Sequence, residues 1–341
     1  MKSKIISKRL IVRIVVALVL IGFVKIYLIF LHPISNEKFS IYVRPTTTYT
    51  DIKAQLSEHA DLSSRFFFSA LSTVFGYEKV IHIGKYEAKK GTSVWSLFQK
   101  MYRGRQTPVR LTFNNIRTKE QLAGRLSQQL MLDSITLIHA FKNTDSCARM
   151  GFSPSTIPSL FIPDTYEMYW DISYEKFLRK MKNVYDKFWT SERLEKAKLV
   201  GLTPIEISTL ASIVEEESNS AEERPAIAGL YLNRYRIGMP LQADPTIKFA
   251  VNDFSLRRIL FEHLKVNSPY NTYKNIGLPP GPIRVPSPAG IDAVLNYQKH
   301  DYLYMCANYD FSGRHAFART MKEHHQNAQK YRNELDKRKI K

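Results

Sequence analysis

The chain has 341 residues, of which 44% are apolar and 24% charged. These are the proportions of an ordinary globular protein, so global disorder is excluded and there is room for an anchoring element plus two or three small domains. The formal charge of +19 asks for an anionic partner such as a nucleic acid, a membrane surface or an acidic polymer. The basic residues are spread along the chain, with only a mild concentration at Lys337 to Lys341, and no basic strip carries interleaved aromatics. No nucleic-acid partner is therefore expected. Cys147 and Cys306 lie far apart without zinc-type spacing, and two free buried thiols are favoured over a disulfide. Neither a metal nor a cofactor is expected.

Lys2, Lys4, Lys8 and Arg9 precede an apolar run from Leu10 to Leu31, broken only by Arg13, Gly22 and Lys25. About 20 apolar residues span a bilayer core. Arg13 is placed to snorkel, and Lys25 lies about two turns from the far end. A cleaved signal peptide is the alternative, but the run is long for one and no small-x-small site follows it. The expectation is a retained single-pass anchor over residues 10–31. Residues 1–9 would lie in the cytoplasm and everything after about Pro33 outside, by the positive-inside rule.

Residues 40–113 read as a small α+β unit. Ile41 to Val43 and Val109 to Phe113 alternate like edge strands, helices are expected over Thr50 to Glu58 and Ser63 to Phe75, and a strand over Val80 to Tyr86. Gly91-Thr-Ser93 then caps a helix from Val94 to Met101. Residues 114–200 form a helical connecting region: Lys119 to Leu130, Asp133 to Lys142, a Ser/Pro-rich loop from Gly151 to Pro163, and one amphipathic helix from Phe177 to Leu194.

The signals sharpen in residues 201–335. Thr203-Pro-Ile-Glu206 is a capping box with proline at the first helical position, opening a helix to about Glu217. Ser220-Ala-Glu-Glu223 reads as a second capping box, with its helix running to about Arg236 and stopped by Gly238. Leu278 to Pro288 is an ordered proline-rich loop. Strands follow at Tyr302 to Ala307 and Arg314 to Phe317, then a closing helix from Thr320 to Leu335.

On a helical wheel Ile207, Leu210, Ala211 and Val214 share a face that continues to Glu217, while Glu216 points to solvent and Glu215 lies at the flank. A carboxyl held against apolar neighbours keeps its proton, which is what general-acid cleavage of a glycosidic bond requires. The pattern alone favours a plainer reading, a glutamate solvated where the stripe leaves the core. Leu241-Gln-Ala-Asp-Pro-Thr246 and Tyr270-Asn-Thr-Tyr273 offer amides, a carboxylate and aromatic faces suited to sugars; turns with satisfied local hydrogen bonds fit them equally. His315, His324 and His325 complete no recognisable ligand set.

Together these segments resemble the endolytic murein transglycosylase (MltG or YceG-like) family. The resemblance is carried by Phe161-Ile-Pro-Asp-Thr-Tyr166, Ala211-Ser-Ile-Val-Glu-Glu-Glu217, Tyr231-Leu-Asn-Arg234, Ile237-Gly-Met239, Leu241 to Thr246, Tyr270 to Tyr273, Gly277-Leu-Pro-Pro-Gly-Pro-Ile283, and His315-Ala-Phe317 with Thr320 and His324. It covers about residues 160–330 strongly, and 40–113 more weakly around Gly84-Lys-Tyr86. The chain departs from the family in having Glu216 where lysine is usual, Ala243 where Ser or Thr is usual, and Phe113-Asn-Asn-Ile116 where a Glu-Gly pair is typical.

The resemblance implies an α+β fold: an N-terminal transmembrane helix, a small LysM-like α+β domain, then an α+β catalytic domain with short antiparallel strands. It implies a lyase of the cytoplasmic (inner) membrane that cuts the MurNAc–GlcNAc bond of nascent glycan strands, leaves 1,6-anhydro-MurNAc ends and ends strand elongation. Glu217 falls at the catalytic position. Glu215, Gln242, Asp244, Tyr270, Asn271 and Tyr273 fall at substrate-binding positions. The implied partners are peptidoglycan glycan strands, membrane lipids and peptidoglycan synthases. The competing reading is a membrane-anchored, non-catalytic wall-binding or division-scaffold protein.

Overall fold

The computed structural model describes residues 8–338. Lys2 and Lys4 of the basic flank, and residues 339–341 of the tail, lie outside the described residues. Helix α1 (Lys8–Phe30) holds 23 residues, about 35 Å at 1.5 Å per residue, enough for a bilayer core. Val12, Leu18 and Phe23 are among its described apolar side chains left exposed.

The chain forms two compact units. The first comprises α1 and the residues up to Leu111, with 129–131 and 166–172. After α1 come β1 (Phe39–Val43), α2 (Tyr49–Ser57), α3 (Leu62–Phe75), β2 (Gly84–Ala88), α4 (Val94–Tyr102) and β3 (Val109–Thr112). Strands β1 and β2 pair antiparallel, from Phe39 opposite Ala88 to Val43 opposite Gly84. Phe39, Ile41 and Val43 alternate inward onto Ile52, Phe68, Tyr77 and Phe98, as a half-buried strand should. Thr48 with Asp51 makes a capping box for α2, Asp61 caps α3, and Ser93 caps α4 as expected. The strand expected from Val80 starts only at Gly84, because the chain first turns and Tyr86 donates its hydroxyl to the His82 carbonyl at 3.0 Å.

The second unit holds the connecting helices and all that follows. These are α5 (Lys119–Gln129), α6 (Ser134–Lys142), α7 (Thr144–Ala148), α8 (Tyr174–Phe188) and α9 (Ser191–Val200); β4 (Thr165–Met168), which pairs with β3, falls almost wholly in the first unit. The single helix expected over Phe177 to Leu194 is two. Trp189 is buried between them and Thr190 accepts a hydrogen bond from Arg193 N, restarting the helix in a new direction.

Helices α10 (Pro204–Glu217), α11 (Arg224–Arg236), α12 (Asp244–Ala250) and α13 (Pro288–Leu295) form the centre of this unit. Their core runs from Ile207, Ile213 and Val214 to Ile227, Leu241, Ile291 and Val294. Helix α13 is nucleated by Ser287, which caps it, and Pro288 at its first turn. It packs closely on α10: a β-carbon at Gly290 would lie 2.5 Å from the Glu215 carboxyl, so only glycine fits there. An antiparallel hairpin, β5 (Tyr304–Ala307) with β6 (His315–Ala318), and α14 (Met321–Lys337), capped by Thr320, close the fold. The architecture is therefore α+β with short antiparallel strands, as expected.

Candidate active site

The capping box at the start of α10 forms as read: Thr203 N donates to Glu206 at 2.8 Å and Glu206 N donates to Thr203 Oγ1 at 3.3 Å. The wheel does not hold, because every residue from Ile207 to Glu215 is buried. A helix enclosed on all sides has no solvent face to present.

Two of the three glutamates at its end consequently take other roles than expected. Glu216, expected in solvent, is clamped by Arg117 through two bonds of 3.0 Å and by Arg284 through a third of 3.0 Å. Arg284 also donates to Asn115 at 2.9 Å, so two places where this chain departs from the pattern it resembles, Glu216 and Asn114-Asn115, meet through one arginine. Glu215 is buried, receives hydrogen bonds from Ser287 N at 3.1 Å and from the Ser287 hydroxyl, and lies 3.5 Å from Arg224 and 3.6 Å from Arg284. Glu217 ends the helix and opens onto a cavity of about 210 Å³.

Glu217, Tyr231, Arg234, Gln242, Asp244, Tyr273 and His315 line this cavity, with Leu230, Leu241, Met305, Cys306 and Ala307 between them. Tyr231, on α11, donates its hydroxyl to Glu217 Oε1 at 2.7 Å. Burial pushes the Glu217 carboxyl up to about 7; the Tyr231 bond works against this, and the charge of Asp244 adds to it. The negative end of the α10 dipole acts in the same direction as burial. Burial also raises Tyr231 and Tyr273 well above the usual phenol range, so both stay hydrogen-bond donors at neutral pH.

Asp244 sits at the first turn of α12 and accepts a short hydrogen bond from Tyr273. Gln242 has φ of 51°. This left-handed conformation is uncommon for a non-glycine residue and is held here by Gln242 N donating to Thr272 O at 3.0 Å. Arg234 crosses beneath, donating to the carbonyls of Leu303 at 2.6 Å and Leu241 at 2.7 Å, so one buried guanidinium ties the hairpin to the Gln242 turn.

Ser220 to Glu223 is not a capping box: no side chain caps α11. Glu223 instead accepts from His315 N at 2.6 Å, bonds the His315 Nδ1 edge at 2.8 Å, and accepts from Ser218 at 3.0 Å. Burial works to raise its carboxyl, yet these bonds hold it below the usual range. The bond at Nδ1 leaves Nε2 of His315 for the cavity.

Of the expected substrate residues, then, Gln242, Asp244 and Tyr273 stand with Glu217, and Glu215, Tyr270 and Asn271 do not line the cavity. Asn271 is buried and donates to Leu264 O and Val266 O at 2.9 Å each, while its Oδ1 accepts from Tyr273 N at 3.0 Å. It shapes the loop that presents Tyr273. Tyr270 packs on Phe249, ring centroids 4.7 Å apart, and lines a separate small cavity with Arg117, Lys119 and Asn252. Tyr231, Arg234 and His315 were not singled out as site residues from the sequence. Tyr231 and Arg234 are three apart, so they share a helix face. Cys147 and Cys306 are both free; Cys147 is buried, and Cys306 is half-buried in the cavity wall.

The YceG-like family profile matches residues 41–330. A protein named endolytic murein transglycosylase from Bacillus subtilis (strain 168) is 38% identical over 156 residues, 46% of this chain and 41% of that protein. One of the same name from Streptococcus pneumoniae (serotype 2, strain D39) is 32% identical over 202 residues, 58% of this chain and 35% of that protein. The chain thus matches about two-fifths or less of the length of these curated relatives. The crystal structure of a yceG-like protein from Listeria monocytogenes matches with a TM-score of 0.56 at 25% identity, covering 86% of this chain and 99% of that one. With most of its length inside the family profile, and with a solved member sharing its architecture, the chain belongs to the YceG-like family.

Proposed function

We propose that this protein is an endolytic murein transglycosylase that cleaves the MurNAc–GlcNAc bond inside peptidoglycan strands. The observation that carries the reading is the Glu217 carboxyl at the end of α10, held by Tyr231 and facing a polar cavity, with burial raising its pKa to about 7. That is the state a general acid needs. Glu217 protonates the leaving glycosidic oxygen as the C1–O bond breaks. The C6 hydroxyl oxygen of the same muramic sugar closes onto C1, and its proton passes to the Glu217 carboxylate, which restores the acid. The product is a 1,6-anhydro end. In this reading the Asp244 carboxylate, across the same cavity, stabilises positive charge developing at C1. Glu217→Gln tests this reading: the folded variant should bind glycan and release no fragments, and full activity would refute it.

Asp244 also supports a second reading. Two carboxyls lining one cavity is the arrangement that lets water replace the C6 hydroxyl as nucleophile. Products with reducing muramic acid ends would select it.

The reading extends to the rest of the chain. The order β1–α2–α3–β2 with antiparallel strands supports a LysM-like role for residues 40–113. The apolar α1 supports a single-pass anchor with the catalytic unit outside the cytoplasm, close to nascent strands and the synthases that make them. A reporter fused after Lys341 and active only in the cytoplasm would overturn that topology.

A further inference from the structure

Helix α3 carries one charged residue, Arg65, in its 14 positions. Its inner face, Ser64, Phe68 and Ser72, is buried in the first unit. Its outer face is as apolar as its inner one: Leu62 is 75% exposed, Phe66 67% and Val74 78%, in a stripe stepping by four residues through Ala70. A contiguous apolar stripe of this kind in water marks an interaction surface.

What covers it follows from where α3 is tied. The N-cap of α3, Asp61, accepts a hydrogen bond from His32 at 3.1 Å, and His32 is the second residue after α1 ends. Phe30, the last residue of α1, packs on Trp95 at 5.0 Å between centroids, and Trp95 lies 5.9 Å from Phe75 at the other end of α3. Ile34 N donates to Thr92 O at 2.8 Å and Ile34 is buried, so the chain leaving α1 is built into the first unit. Two extended residues reach at most about 7 Å, which is about the depth of one headgroup layer. If α1 spans a bilayer, α3 starts at that bilayer's surface.

The chemistry of the adjoining groove agrees. Leu56, Leu62, Phe66 and Phe68 line a largely apolar space of about 390 Å³ between α2 and α3, and Lys53 and Arg65 stand at it. Arg65 Nε is buried without a hydrogen-bond partner among the described residues. An apolar surface beside Lys53 and Arg65, neither of them in an ion pair among the described residues, suits acyl chains below an anionic headgroup.

We propose that α3 is an interfacial helix that lies in the outer surface of the membrane holding α1, with Leu62, Phe66 and Val74 inserted and Lys53 and Arg65 on anionic phospholipid headgroups. This rests on the anchor reading. It goes beyond it, because α3 then fixes the tilt and height of the first unit instead of leaving it on a loose tether.

The full chain, with Cys306→Ser, is reconstituted in vesicles of zwitterionic lipid with and without phosphatidylglycerol, and single cysteines carry a fluorescent probe. Leu62→Cys, Phe66→Cys and Val74→Cys read α3, Val16→Cys reads the anchor and Leu199→Cys reads solvent. Quenching by lipid-borne bromine should be several-fold stronger at the three α3 positions than at 199, and stronger again with phosphatidylglycerol. Phe66→Asp with Val74→Asp should lower it at position 62. Quenching at 16 with none on α3 overturns the inference and leaves the anchor standing; none at 16 or on α3 overturns both. Shielding of α3 that disappears at one chain per vesicle would show that a second copy covers the stripe, and would also overturn it.

Discussion

Tyr231 donates its hydroxyl hydrogen to Oε1 of Glu217 across 2.7 Å, joining the middle of one central helix to the end of another. The bond orients the carboxyl while opposing the rise in its proton affinity that burial produces. Asp244 acts the other way, because its charge discourages ionisation of Glu217. The working pH of the site is set between these neighbours.

Opposite shifts should follow from removing them. With Glu217 as the acid, cleavage falls as pH rises through about 7. Tyr231→Phe removes a bond that favours the carboxylate, so the alkaline limb should move to higher pH. Asp244→Asn removes a repelling charge, so it should move to lower pH. Initial rates of strand cleavage from about pH 5 to about pH 9 give both limbs. Movement in the same direction in both variants would contradict the assignment.

Glu217 also imposes a cost on the fold. Its carboxyl is held at about 7 in the folded chain against 4.5 as a free side chain. The folded state therefore binds more protons between these values, and stability drops as pH rises through that window and stays low above it. Glu217→Gln should stabilise the protein by on the order of 1–3 kcal/mol above about pH 7 and by almost nothing near pH 4. Urea unfolding at the two pH values measures the difference; an equal effect at both would show that no proton is involved.

The wheel made Glu216 the expendable member of the triplet, and its arginine clamp reverses that. Glu216→Gln leaves Arg284 and Arg117 without their shared carboxylate at a mostly buried site. A loss of about 1–3 kcal/mol is expected for the unsatisfied donors, read from the urea midpoint. The folded variant should keep activity within about tenfold, short of the 10²–10⁴-fold typical of a lost acid/base group.

Glu215→Gln should be the most damaging to the fold. It strips the charge from a buried carboxylate that faces Arg224, Arg284 and the cap of α13. Breaking a buried pair by removing one partner costs about 3–5 kcal/mol, so much of the variant should be unfolded at 37 °C. A thermal midpoint like that of the unaltered protein would show the cluster to be dispensable.

Local signals were legible in the sequence wherever the physics is local. Thr203 with Glu206, and Ser93, set helix starts that the structure repeats, because a capping bond spans only three residues. The roles of Glu215 and Glu216 were not legible. An amphipathic wheel presumes one wet face, and α10 is enclosed by the other helices of its unit. Glu223 was read as part of a capping box, yet its partner is His315, 92 residues away. The kink at Trp189 depends on a tryptophan finding a buried place. Gln242, Asp244 and Tyr273 were found through family motifs, and their convergence on Glu217 rests on long-range packing that no local pattern encodes.

The most direct test of the central claim is mass spectrometry of the products that the purified full-length protein and its Glu217→Gln variant release from peptidoglycan strands. The account predicts internal fragments ending in 1,6-anhydro-muramic acid from the unaltered protein and none from the variant. Fragments ending in reducing muramic acid would show that water is the nucleophile, and undiminished release by Glu217→Gln would contradict the account at its centre.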